Sequence, residues 1–153
     1  MKLKTFWILN LMKKYLDNFY FNLSLSLIWI LFSIYLFFLK VDTSEYSSLP
    51  FNDKFVHFTI FFVMTYLLLR TLRVSNFNYN FRSKIILLLS LLVFSFLIEY
   101  FQNLTNYRSF ELNDIFFNIL GIFVCYFVKI KWISIITYSF LIYIIYGIKK
   151  KSE

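Results

Sequence analysis

The feature that most limits what this chain can become is a series of long stretches without a single charge. Residues 21–39 are 19 positions with no Asp, Glu, Lys or Arg, closed by Lys40. A helix of roughly 20 residues, rising 1.5 Å per residue, covers the ~30 Å hydrocarbon core of a bilayer. Inside lipid the backbone must satisfy its own hydrogen bonds, so such stretches become helices. Four further apolar runs follow, at 55–69, 85–101, 115–128 and 132–148. With 60% hydrophobic and 16% charged residues among 153, too little polar surface remains to clothe a water-soluble domain. Two Gly and one Pro exclude collagen-like and disordered structure as well.

The expected fold is therefore all-α: one integral membrane domain, 1–153, built as a polytopic transmembrane helical bundle of about 4–5 spans. The first twenty residues mix Lys2, Lys4, Lys13 and Lys14 with Leu3, Trp7 and Leu11 at i, i+4, i+8, which predicts an N-terminal amphipathic helix at the membrane interface. Because the charges return at Lys13 and Lys14 and no small-residue cleavage site follows, this segment is expected to stay on the chain. Residues 41–52, with Asp42, Glu45 and Pro50, predict a polar loop, and Asn52 or Asp53 stands where a helix cap belongs. Residues 70–84 predict a basic loop, and 132–148 an additional C-terminal span. At about 15 residues the second and fourth runs reach only ~22 Å, so each must draw a polar end into the membrane or pack within the bundle.

Lys and Arg set the orientation. With the N-terminus in the cytoplasm, ten of them fall inside (before 21, in 70–84, and at 129 and 131) and three outside, at Lys40, Lys54 and Arg108. The discordant element is the tail Lys149 to Lys151, which a fifth crossing leaves outside. The net charge of +8 is thereby explained by topology, so no nucleic-acid partner is expected. Cys125 is the one cysteine and lies in an apolar run, which excludes an internal disulfide and a cysteine zinc site and suits a small apolar core residue.

Ionisable groups at helix ends in a membrane are costly unless satisfied and mark function by default. Asp53 and His57 are i, i+4 at the start of the second run; Glu99 and Gln102 are i, i+3 at the end of the third. Arg108 and Ser109 lie between the third and fourth runs, and Asp114 and Asn118 are i, i+4 at the start of the fourth. All fall on the outer side of a topology drawn from Lys and Arg alone. Each also has a plainer reading. Asp53 and Asp114 suit helix caps, His57 suits a hydrogen-bonded packing residue, and Gln102 and Asn118 suit interhelical bonds. Glu99, flanked by Leu97, Ile98, Tyr100 and Phe101, needs a partner, with Arg108 the first candidate and His57 the second.

The string Asp53-Lys54-Phe55-Val56-His57-Phe58, then Glu99-Tyr100-Phe101-Gln102, then Arg108 to Asp114, then Asn118 with Gly121, resembles the VanZ-like family of small bacterial membrane proteins. The likeness spans 53–127, a VanZ-like core; the run 132–148 departs from the shortest members. It implies a multi-pass protein of the bacterial cytoplasmic membrane, in a family whose founding member is associated with teicoplanin resistance, and it implies no mechanism.

Two classes of function remain open. In one, His57, Glu99 and Asp114 are catalytic at the outer leaflet, while Asp53, Lys54, Gln102, Arg108, Ser109 and Asn118 bind a lipid-linked or anionic envelope substrate or a glycopeptide-like ligand. In the other, the same residues are a structural lock in a membrane scaffold or accessory protein, with membrane lipids as its partners. A transporter is disfavoured, because the charges gather at one face. One His and no H-x-x-x-H pair name no metal, no cofactor is identified, and acyl-serine, P-loop and dinucleotide motifs do not occur.

Overall fold

The computed structural model describes residues 15, 17–40, 50–75, 79–106 and 108–128, with side chains in the second helix from Asp53 onward. The N-terminal amphipathic helix, the greater part of the loop 41–52 and the run 132–148 with its basic tail lie outside the described residues. What is described is all helix: α1 (Phe19–Phe38), α2 (Pro50–Val74), α3 (Phe81–Asn103) and α4 (Leu112–Phe127). Residues Phe19–Phe38, Asp53–Val74 and Phe81–Asn103 are long and apolar enough to cross a membrane, and Leu112–Phe127 is a shorter apolar helix. The fold is a helical membrane bundle.

Helix α2 is the hub. It packs most extensively on α4 and next on α1, while α3 lies more lightly against all three. The reason is legible along each buried face. On α1, Asn22, Ser26, Ser33 and Phe37 recur every four or seven positions and are buried, so small polar side chains let two backbones come close. The opposite face, with Leu27, Ile28, Leu31 and Tyr35, is exposed and apolar, as lipid requires. Trp29 Nε1 donates to the Ile60 carbonyl at 3.2 Å and pins α1 to α2. On α4, Asp114, Asn118, Gly121, Ile122 and Cys125 form one buried stripe. At Gly121 a side chain has no room: an added Cβ would collide with the Phe58 carbonyl oxygen of α2 and stand 3.0 Å from the Phe62 nitrogen. The core between these contacts is Phe37, Ile60, Phe61, Met64, Leu88, Leu91, Ile98 and Ile122.

Several helix limits differ from those the charges suggested. Helix α2 runs on through Arg70 and Arg73 to Val74, so the expected loop 70–84 contracts to a link between Val74 and Phe81. A charge ends an apolar run without ending a helix. Arg70 donates to the Tyr66 hydroxyl at 3.1 Å, one turn back, and Thr71 still faces α1. The second helix, 25 residues long, is thereby no longer short for a crossing, whereas α4 at 16 residues is. Neither Asn52 nor Asp53 is a cap, because α2 begins at Pro50 and Asp53 falls inside its first turn. Asp114 likewise lies inside the first turn of α4, whose N-cap is Glu111. Asn18 and Asn80 are side-chain caps, accepting from the Phe21 and Ser83 backbone N–H groups at 3.0 and 2.9 Å. Lys84 Nζ, in the first turn of α3, sits 4.1 Å above the ring of Tyr79 in the short link, and burial pushes the Tyr79 hydroxyl above its ordinary pKa.

Candidate functional site

The start of α2, the end of α3 and the start of α4 meet at one end of the bundle, and each brings polar side chains on its inward face. His57, Glu99, Gln102, Asp114 and Asn118 are all buried there. His57 sits two turns inside α2, one turn beyond Asp53, and its ring is the centre of the group. Its Nδ1 is 3.1 Å from Asn118 Oδ1 and 3.5 Å from Glu99 Oε1; its Nε2 is 3.7 Å from Asp114 Oδ2. One imidazole therefore lies between two buried carboxylates from two other helices.

The far end of α1 closes the group. Phe37 lays its ring 5.0 Å from that of His57, and Gln102 Nε2 donates to the Phe37 carbonyl at 2.9 Å. That bond satisfies one of the last carbonyls of α1, which the helix itself leaves open. Nearer the surface are three ion pairs. Arg108 contacts both Asp53 oxygens at 3.4 Å, and Lys54 reaches Glu111 Oε2 at 3.3 Å and Asp114 Oδ1 at 3.8 Å.

The pairing differs from the expected one. Arg108 meets Asp53 and not Glu99, whose neighbour is His57. Desolvation explains this. The Asp53 side chain is 44% exposed whereas Glu99 is fully buried, and a guanidinium drawn down to Glu99 would lose its water. Ser109 stays exposed on the connecting loop and makes none of the cluster's contacts. Sequence reasoning missed Phe37 and the Glu111 carboxylate. The first lies in an apolar run like any other, and the second meets Lys54 across 57 positions of chain, so neither carries a local signal.

The cluster is short of hydrogen bonds. Among the described residues, five buried side-chain atoms have no hydrogen-bond partner, and four of them are here: both oxygens of Glu99, Oδ1 of Asp114 and Nδ2 of Asn118. A buried polar group left unpaired costs about 1–3 kcal/mol, more when charged. The arrangement suits proton transfer through an imidazole held between two carboxylates, and it suits cation binding: ligand atoms of Asp53, His57 and Asp114 all lie within 4.8 Å of one another. Asp53 and His57 stand at i, i+4 on α2, and Asp114 comes from α4, so spacing along one helix shows only two of the three.

Residues 4–137, most of the chain, match the model of a family described as VanZ/LLP1. No curated protein and no solved structure matches the chain.

Proposed function

This chain belongs to the VanZ/LLP1 family, and we propose that its buried centre acts on or binds a lipid-linked or anionic substrate of the bacterial cell envelope. In this reading His57 moves a proton, with Glu99 at Nδ1 and Asp114 at Nε2 as its carboxylate neighbours. Arg108 and Lys54 receive the anionic group. Arg108 is paired with Asp53 and Lys54 with Glu111, whose side chains are 44% and 46% exposed, and Lys54 also lies 3.8 Å from Asp114. Exposed pairs are worth only about 0–1 kcal/mol, so an incoming phosphate or carboxylate can displace Asp53 or Glu111 at small expense. Gln102 and Asn118 hold the frame around the centre.

The observation that carries the reading is that both oxygens of Glu99 and Oδ1 of Asp114 are buried without a hydrogen bond. A helix lock gains from complete hydrogen bonding, whereas a reactive centre keeps free acceptors at a cost in stability. The competing reading, a non-catalytic scaffold or accessory protein locked by the same residues, is favoured by the closeness of the groups and by Phe37 lying against His57.

The test is teicoplanin susceptibility of a Gram-positive host expressing the wild type, His57→Asn, Glu99→Gln or Asp114→Asn, with membrane abundance measured in parallel. Loss of a wild-type effect at near-normal abundance supports the centre; parallel loss of abundance supports the lock. No wild-type effect removes glycopeptides from the proposal.

The site end is proposed to face outward from the cytoplasmic membrane, on the ten-to-three distribution of Lys and Arg. A cysteine at Ser75, at the opposite end of α2, is then shielded from an impermeant thiol reagent in intact cells. Strong labelling there reverses the orientation.

A further inference from the structure

We propose that Asp53, His57 and Asp114 bind a divalent cation of the Mn²⁺ or Zn²⁺ class, with Asn118 and Glu99 orienting the imidazole. This goes beyond the envelope reading and does not rest on it.

The first argument is the direction of the His57 ring. Asn118 Oδ1 is an acceptor, 3.1 Å from Nδ1, so Nδ1 is the nitrogen that carries hydrogen. The Nε2 lone pair then points toward Asp114 Oδ2, 3.7 Å away. A lone pair facing a carboxylate oxygen across that gap is repulsive unless a proton or a metal ion lies between them, and at 3.7 Å the gap is wide for a hydrogen bond. Histidines that bind metals are held in this way, one ring N–H bonded to a carbonyl or carboxylate and the other nitrogen free for the ion. Glu99 Oε1, 3.5 Å from the same Nδ1, reinforces the orientation.

Charge supplies the second argument. Carboxylates outnumber cations here, Asp53, Glu99, Glu111 and Asp114 standing against Lys54 and Arg108 around the imidazole. The excess is in the buried part: Glu99 is 0% exposed with neither oxygen hydrogen-bonded, and Asp114 Oδ1 is likewise without a hydrogen-bond partner. A divalent ion between Asp114 and His57 balances that excess of carboxylates.

Geometry is the third. Bonds of about 2.0–2.2 Å to nitrogen and oxygen set neighbouring ligand atoms about 3.3–3.6 Å apart in a tetrahedral site. His57 Nε2 and Asp114 Oδ2 are already 3.7 Å apart, and all three ligand groups lie within 4.8 Å of one another. The adjustment falls on Asp53, whose half-exposed side chain can turn from Arg108 toward the ion. One imidazole with carboxylate oxygens suits Mn²⁺ or Zn²⁺ better than the all-oxygen sites of Ca²⁺ and Mg²⁺.

The experiment uses the full chain, free of any histidine tag, purified in detergent, stripped with EDTA and then equilibrated with Mn²⁺ alone or Zn²⁺ alone. Bound Mn²⁺ is read by electron paramagnetic resonance and bound Zn²⁺ by mass spectrometry after gel filtration. The expected result is about one ion per chain, with affinity lowered at least ~10-fold in His57→Asn and Asp114→Asn and unchanged in Ser90→Ala, whose exposed hydroxyl bonds only the Ile86 carbonyl of its own helix. Thermal unfolding of each variant in EDTA shows whether it folds, and the wild-type stoichiometry decides the matter where a variant does not. Less than about a tenth of an ion on the wild type overturns the inference, as does undiminished binding by a folded Asp114→Asn. An ion-free wild type that still alters teicoplanin susceptibility leaves the envelope reading standing; a bound ion with no such effect does the reverse.

Discussion

The two ends of the bundle bury polar groups in opposite ways. At the far end, the Ser26 and Thr71 hydroxyls stand 2.9 Å apart between α1 and α2 and each is 2.9 Å from a carbonyl one turn back, of Asn22 and of Leu67, so one hydroxyl donates across the seam while the other donates to its own helix. Every group in that seam is neutral and its hydroxyls are satisfied. At the site end the groups are ionisable, the distances are 3.5 and 3.7 Å, and four polar atoms lack a hydrogen-bond partner. Small hydroxyl side chains at a helix interface are cement. Carboxylates around a histidine, kept from full pairing, are not what cement requires, and the difference separates the part of the molecule that holds the bundle from the part available for chemistry.

The largest test of that contrast is Gly121→Ala. The added methyl meets the α2 backbone at Phe58 and Phe62, which cannot swing aside as a side chain can. Helix α4 must move off α2, carrying Asp114 and Asn118 away from His57, while the α1–α2 seam stays closed. The expected outcome is a loss of about 1–3 kcal/mol or more in detergent unfolding and loss of any site activity. A cysteine pair designed across Ser26 and Thr71 should still cross-link in this variant, and if it does not, the two ends are one cooperative unit.

Glu99→Gln comes next and should run against the usual sign. It removes a buried carboxylate that accepts no hydrogen bond, so thermal stability is expected to hold or rise by about 1–2 kcal/mol while function is lost. A fall of that size would make the centre a lock and erase the contrast.

In the seam, Thr71→Val deletes the cross-helix bond and is expected to lower stability by about 0.6–1.7 kcal/mol, with function unchanged in proportion to abundance. Ser26→Ala should cost about as much, and the double change no more than either alone if the bond is the shared cause. The smallest effect is expected at Arg108→Gln. Its pair with Asp53 is surface-exposed, so stability should shift by under about 1 kcal/mol, and any functional loss should appear as weaker binding of an anionic substrate. A large destabilisation would move Arg108 from the surface pairs into the buried framework.

Much of this was legible beforehand because lipid imposes simple rules. Charge-free length predicts α1 and α3 within a few residues, since hydrophobicity alone decides what enters the bilayer. The i, i+4 and i, i+3 spacings of Asp53 with His57, Glu99 with Gln102 and Asp114 with Asn118 put each pair on one helix face, and the alternation of crossings put all of them at one end. The extension of α2 past Arg70 was hidden, because a lipid-crossing helix can project a turn beyond the apolar run once its side chains find partners such as Tyr66 and Ser26.

What only the tertiary structure decided is who meets whom. Glu99 had two candidate partners by sequence, and burial chose His57, because a guanidinium stays where water reaches it and the short loop from Leu104 delivers Arg108 to the rim beside Asp53. Lys54 found Glu111, and Gln102 the end of α1, through contacts 57 and 65 positions apart. Gly121 enters the sequence reading only beside Asn118 in the family resemblance; only the approach of α4 to Phe58 shows that a bare Cα is required. Hydrophobic length is a property of one segment, and so the chain's membrane character is written in one dimension. Partner choice depends on the depth and rotation of four helices about one another, set by packing along their whole length, and that information is spread over every buried face at once.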